Sequence, residues 1–265
     1  KSDFTWTAGG NFNVNRNKIV SLSGQFAGLD FNVTQANVVS TGGLGISGQI
    51  SQIGYLKVGY PIGTLLLPEY AGKDASGNQQ FWKYNADGSR TAVTDVSLLN
   101  YADDGSTQDR KFYTTDPKFT YGLSSNLTYK QFDLSIFARG QYGSKGFNET
   151  YMDYTSLAKL GTYSVLADAS KLGIKSSSEP SNYWLQGTSF LKIQSVNVGY
   201  SLKINQNRYI DKLHFYVGGN NLYTFTSYKG VDPELTTAGG QTGIDSRQLY
   251  PRSRQLSFGV NLTLK

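Results

Sequence analysis

The sequence predicts an all-β fold: part of an antiparallel transmembrane β-barrel with long loops at one end. Three observations carry this. Leu256, Phe258, Val260, Leu262 and Leu264 alternate with Gln255, Ser257, Gly259, Asn261 and Thr263, a period of two that makes a strand with one apolar and one polar face. At ~9 to 11 residues such a strand is long enough to cross a bilayer when tilted. The composition is rich in Tyr (19), Phe (14) and Gly (30), as expected of strands and turns. Connections alternate between short and long, the pattern of outer-membrane barrels.

The elements follow in order. Phe4, Trp6, Ala8, Phe12 and Val14 sit on even positions with Thr5, Thr7, Asn11 and Asn13 between them, a first strand in which Gly9-Gly10 marks a bulge or bend. Asn15 to about Gly43 reads as an irregular connection, and Leu44 to about Gly59 as a weakly alternating strand. Tyr60 to Pro117 is the longest stretch without periodicity, punctuated by Gly and Pro and carrying Phe81, Trp82 and Tyr84. A loop of that length is functional or disordered, and its aromatics favour order. Phe119, Tyr121, Leu123, Leu127 and Tyr129 are odd, whereas Phe132, Leu134, Ile136 and Ala138 are even. The change of phase at Tyr129-Lys-Gln-Phe132 predicts a hairpin.

Gly143 to Gly187 is a second long loop, with a short helix predicted near Tyr154 to Leu172. Phe190 to Leu202 is a strand whose apolar phase shifts between Ile193 and Val196, predicting a bulge or face switch. A short connection, Ile204 to Lys212, precedes a strand from Leu213 to about Phe225, and a third loop, Thr226 to Tyr250, leads to the last strand. The total is about seven strands whose apolar faces meet lipid and whose polar faces line a wet lumen.

Charge and composition exclude other classes. The net charge is +6, but the basic residues are scattered, and a nucleic-acid surface concentrates them. No apolar run reaches the ~18 residues of a spanning helix, and the mean hydropathy is −0.39. With no Cys, disulfides and thiolate chemistry are absent. The first residues show no signal peptide and open inside a strand pattern, which predicts a segment of a larger polypeptide.

Candidate chemical motifs reduce to turns. Gly43-Leu-Gly-Ile-Ser-Gly48 has the letters of a dinucleotide motif without the strand-to-helix context that motif needs. Asn85-Ala-Asp-Gly-Ser and Asp103-Asp-Gly-Ser lack the ligand spacing of a calcium loop. His214 is the only histidine and falls on a polar face, so neither an imidazole metal cluster nor a general acid/base pair is indicated. No cofactor, metal site or catalytic residue is expected. The candidate ligand-binding residues are the loop aromatics Trp82, Tyr84, Tyr151, Tyr154, Tyr183 and Trp184, whose ring faces suit sugars or peptide side chains, with Arg139 on the lumen face. The competing role for these aromatics is to pack the loops together or to form the interfacial girdle.

Five stretches, in order, resemble one family. They are Gly59-Tyr-Pro-Ile-Gly-Thr-Leu with Tyr70-Ala-Gly-Lys-Asp-Ala-Ser-Gly-Asn; Phe119-Thr-Tyr-Gly-Leu with Phe132-Asp-Leu-Ser-Ile-Phe-Ala-Arg-Gly; Thr188 to Tyr200; Val217 to Glu234; and Tyr250-Pro-Arg-Ser-Arg with the closing strand. Together they resemble the C-terminal barrel of SusC/RagA-like TonB-dependent outer-membrane transporters. The resemblance implies that residues 1–265 are the C-terminal part of a barrel of about 22 strands, with the plug and the earlier strands outside this chain. It departs from the family at Leu264-Lys265, where an aromatic usually ends the last strand. It implies a multi-pass protein of the bacterial outer membrane that imports a glycan or oligopeptide, with a SusD-like surface lipoprotein over the mouth and TonB acting through the plug. Two other readings stand beside it: a SusC-like barrel serving as a structural subunit of a larger outer-membrane assembly, and a secreted soluble β-rich binding module.

Overall fold

The computed structural model describes residues 3–31, 38–44, 50, 52–100, 109–204, 208–235, 243–246 and 250–265. Its main element is a six-stranded antiparallel sheet, the wall. The wall strands are β1 (Phe4–Asn13), β2 (Phe119–Tyr129), β3 (Phe132–Tyr142), β4 (Phe190–Lys203), β5 (Ile210–Thr226) and β6 (Gln255–Leu264), and each pairs with the next. The short connections, 130–131 and 204–209, lie at one end, and the three long ones, 14–118, 143–189 and 227–254, at the other. The strand expected at 44–59 instead forms Gln52–Lys57 of a second sheet, built within the loops.

The wall has one continuous apolar face because register joins the alternating stripes of neighbouring strands. Phe4, Tyr129, Phe132, Tyr200 and Phe215 are successive cross-strand partners and form an aromatic row near the short turns. Above it runs Trp6, Leu127, Leu134, Val198, Val217 and Phe258. A second aromatic row stands at the loop end, where Phe119 lies 4.9 Å from Phe12 and 5.2 Å from Tyr142, and Tyr223 packs 4.7 Å from Phe225. Phe132 and Tyr142 end an 11-residue strand. That length gives ~33 Å along the strand, or ~25 Å of depth at the usual tilt, matching the apolar band between two aromatic girdles. The opposite face carries Thr, Ser, Asn and Gln, together with His214, whose Nε2 lies 2.9 Å from Asp133 Oδ1.

The hairpin forms where the phase change predicts it, with Lys130 at φ 54° in the positive-φ position of a two-residue turn. The phase shift in β4 is a register irregularity between Ile193 and Ser195. Gly9-Gly10 is not a bulge, because β1 pairs with β2 in unbroken register. The two strands approach closely there: a Cβ on Gly9 would meet Ser124 Oγ at 2.8 Å, and that hydroxyl would have to turn aside.

The loops are more regular than their sequence shows. Residues 110–114, 64–68, 52–57 and 38–43 make a four-stranded sheet, and 70–73, 79–84 and 90–93 a three-stranded one. Asn85 to Ser89 is a plain turn, in which Asp87 accepts from Ser89 N at 2.9 Å. Two short helices, α1 (Glu149–Tyr154) and α2 (Asp168–Leu172), replace the single helix expected over 154–172, and Gly161 at φ 95° lies between them. All three loops contribute to one core, which includes Ile53, Leu65, Leu67 and Phe81 from the first, Phe147, Met152 and Trp184 from the second, and Ile244 from the third. The Gly43–Gly48 and Asp103–Ser106 motifs lie largely or wholly outside the described residues.

The two faces differ in what they tolerate. Ile136→Arg, near mid-depth on the apolar face, is expected to cost ~2–4 kcal/mol of barrel stability, whereas Ser135→Arg on the polar face is accommodated. Heat-modifiable electrophoretic migration of the whole protein checks this, with the folded band weakened for the first variant alone.

Candidate functional site

Two polar clusters lie at the loop end of the wall. The first is built on Arg139 of β3 and Lys192 of β4, which are cross-strand partners on the polar face. Into them drops the turn Asp232-Pro-Glu234, in which Asp232 accepts from Glu234 N at 2.9 Å. Arg139 reaches Glu234 at 2.7 Å and donates to Gln194 Oε1 at 2.9 Å. Lys192, almost fully buried, pairs with Glu234 and lies 3.8 Å from Asp232. Arg252, before β6, completes the cluster at 3.4 Å from Asp232 and 3.2 Å from Glu234. Burial pushes the Glu234 carboxyl up, but its bonds to Lys192 and Arg139 outweigh this and hold it below the usual range. The cluster pins the third loop to the wall.

The second cluster lines a cavity of about 350 Å³ between the second and third loops, with Tyr151, Tyr183, Gln186 and Lys229 in its walls. Tyr151 donates to Asp168 at 2.7 Å, while Lys229 donates to Tyr151 Oη at 2.9 Å and to Asp168 at 2.8 Å. The bond to Asp168 pushes the Lys229 ammonium up, and the same bond holds Asp168 down. Tyr183 packs 4.4 Å from Tyr70. The cavity thus offers aromatic surface and an internally compensated ion pair, which suits a ligand with an apolar face and hydroxyl or amide groups.

Of the residues singled out from the sequence, Tyr151 and Tyr183 meet in this cavity, and Arg139 belongs to the ion cluster. Trp82 and Tyr84 lie on another sheet: Arg90 covers Trp82 at 4.2 Å, and Tyr84 donates to Glu69 with Lys111 at 3.2 Å from its oxygen. Tyr154 ends α1 and is exposed. Trp184 is fully enclosed and donates to Glu179 O at 3.1 Å, so it holds the loop core together. Sequence reasoning did not single out Lys192, Asp232, Glu234 and Arg252, nor Lys229, Asp168 and Gln186. Lys192 was the most accessible of them, being a cation on the polar side of an alternating strand.

Removing Glu234 leaves the buried Lys192 ammonium with only Asp232, 3.8 Å away. Glu234→Gln is therefore expected to cost ~3–5 kcal/mol locally, read as faster amide exchange across 227–235 with the wall unchanged, and Lys192→Met to cost less, because Glu234 keeps Arg139 and Arg252. The Glu234 contribution is fully present above the unfolded glutamate value of ~4.3, because its folded value is depressed. It is lost as pH falls through that lower value, so the same exchange should accelerate in acid and not near neutrality.

No family model matches the chain. Curated proteins that it matches include TonB-dependent receptor P3 of Formosa agariphila, 29% identical over 98% of this chain and 27% of its own length, and TonB-dependent receptor SusC of Bacteroides thetaiotaomicron, 25% identical over 98% and 24%. The chain therefore spans about a quarter of the length of these relatives. In fold it matches the RagAB peptide transporter with a TM-score of 0.67 at 24% identity, covering 99% of this chain and 27% of that one. Similarity along nearly the whole chain, joined to a wall with one lipid-type face and loops gathered at one end, makes this chain a relative of the SusC/RagA-like TonB-dependent receptors, folded as a portion of their barrel.

Proposed function

We propose that this chain is the C-terminal part of the barrel of an outer-membrane, TonB-dependent importer of a glycan or oligopeptide. A SusD-like surface lipoprotein covers its mouth, and TonB acts through a plug carried elsewhere. The supporting observation is the division of labour in the structure. The wall presents a lipid-type face and a polar face, and all three long loops fold into one layer at a single end around a shared core. A layer of that kind keeps ligand-facing side chains in fixed positions over a polar passage. The chain contributes wall and ligand-facing loops, with Tyr151, Tyr183, Lys229 and Gln186 as the contact residues, and no covalent chemistry.

The reading is tested by deleting the gene and growing the strain on panels of oligosaccharides and of peptides as sole carbon or nitrogen source. Loss of growth on one class is expected, reproduced by loss of TonB and reversed by complementation, with a surface lipoprotein co-purifying with the tagged barrel. Unchanged growth on both panels, with the barrel still held in a multiprotein membrane complex, would instead establish the structural-subunit reading.

A further inference from the structure

Gln186, in the wall of the cavity between the second and third loops, has an amide whose orientation is fixed by its neighbours. Its backbone belongs to the short strand Leu185–Gly187, which pairs with 145–147. Next to that pairing, Tyr151 N donates to Asn148 Oδ1 at 2.8 Å, capping α1 and setting which way the Asn148 amide faces. Asn148 Nδ2 then donates to Gln186 Oε1 at 3.3 Å, and Lys229 N donates to the same oxygen at 3.2 Å. Both partners are N–H donors, so the oxygen and nitrogen of Gln186 are not interchangeable, and both lone pairs of the oxygen are used. The Gln186 amide nitrogen makes no hydrogen bond among the described residues. Lys229, in the same wall, commits two of its three ammonium hydrogens, to Tyr151 Oη and to Asp168. Tyr151 Oη is itself occupied, donating to Asp168 and accepting from Lys229. The Tyr183 and Ser227 hydroxyls can serve either way, but the polar groups of fixed orientation offer the cavity donors only.

We propose that this cavity, which the import reading above makes a ligand site, selects an uncharged carbonyl acceptor, the secondary amide of a peptide or of an N-acetylated sugar, with Gln186 as the specificity-determining donor and Lys229 as the second. An amide carbonyl brings two lone pairs and no hydrogen of its own on that oxygen, whereas a hydroxyl that accepts here must still place its proton. A carboxylate is disfavoured for a different reason. Lys229 is the one charged residue in the lining, and Asp168 already compensates it at 2.8 Å, so a second anion meets the repulsion of the first. The apolar groups beside the amide have Leu172 and the Tyr183 ring to rest on, and that ring is held in place by Tyr70 at 4.4 Å and by the edge of Trp184 at 4.8 Å.

The test is isothermal titration calorimetry of the whole protein in detergent with chitotriose, with cellotriose as its counterpart lacking acetamido groups, and with acetyl-trialanine as its C-terminal amide and as its free acid. Chitotriose or the capped peptide is expected to bind about tenfold more tightly than cellotriose, and which of them does so names the source of the amide. Gln186→Glu keeps the oxygen that accepts from Asn148 and Lys229 and replaces the amide nitrogen with a second acceptor. It should abolish the preference while amide exchange across 227–235 stays unchanged. Gln186→Met, which removes the donor without adding charge, should abolish it too. Cellotriose binding as tightly as both amide probes, binding of none of the probes, a preference that survives both variants, or tighter binding of the free acid than of the capped peptide overturns the assignment. Any of these results alongside lost growth of the deletion strain leaves the import reading standing, and unchanged growth alongside the expected preference does the reverse.

Discussion

Backbone hydrogen bonding in hydrocarbon is the constraint on which the rest of the structure depends. An unpaired N–H or C=O in the bilayer costs several kcal/mol, so every wall strand must be paired on both edges. Within the six-stranded sheet this holds for β2 through β4 and for β5 as far as Asn220, while the outer edges of β1 and β6 meet no strand among the described residues. Bacterial barrels begin at about eight strands, so six are part of a larger closed sheet. The aromatic rows follow from the same constraint. Once pairing fixes the register, strands whose stripes are in phase give a continuous lipid band, and the bulge between Ile193 and Ser195 restores the phase where the sequence breaks it.

The loop layer obeys a different rule. It lies outside the apolar band and cannot draw stability from lipid, so it needs its own core, drawn from segments far apart in the chain. Trp184, Phe147 and Ile244 place the second and third loops against the Ile53, Leu65 and Phe81 sheets of the first. The ion cluster of Arg139, Lys192, Arg252, Asp232 and Glu234 ties this layer to the wall. Burying Lys192 and Glu234 within this cluster gives little net stability, since desolvation offsets most of the attraction, but it fixes one position for the 231–234 turn. Lys229, in the wall of the cavity, belongs to the same loop as that turn.

How much of this was legible in the sequence depended on what each residue had to satisfy. Strands with one face in lipid and one in water must alternate, and β2, β3 and β6 could be read almost residue by residue. Thr64–Pro68 could not, because all five residues are buried and both faces of a strand inside the loop core call for apolar side chains. The alternation near Ile53 and Tyr55 was real, but alternation reports two faces and not which sheet a strand joins. The site was harder still. Tyr151 and Tyr183 could be named as loop aromatics, yet whether a ring faces a cavity or, like Trp184, fills a core depends on contacts distant in sequence. Arg139 was visible as a lumen residue, but its partner Glu234 lies 95 residues away, beyond the reach of any spacing argument.

The account rests most directly on the claim that one face of the wall meets lipid and the other water. Single-cysteine variants from Phe132 to Tyr142 of β3, probed in native outer membranes, test it. Membrane-impermeant maleimide should label positions 133, 135 and 137, and a lipid-soluble quencher should reach 132, 134 and 136, giving a strict period of two. Water accessibility on both faces, or a pattern without that period, would contradict the barrel wall.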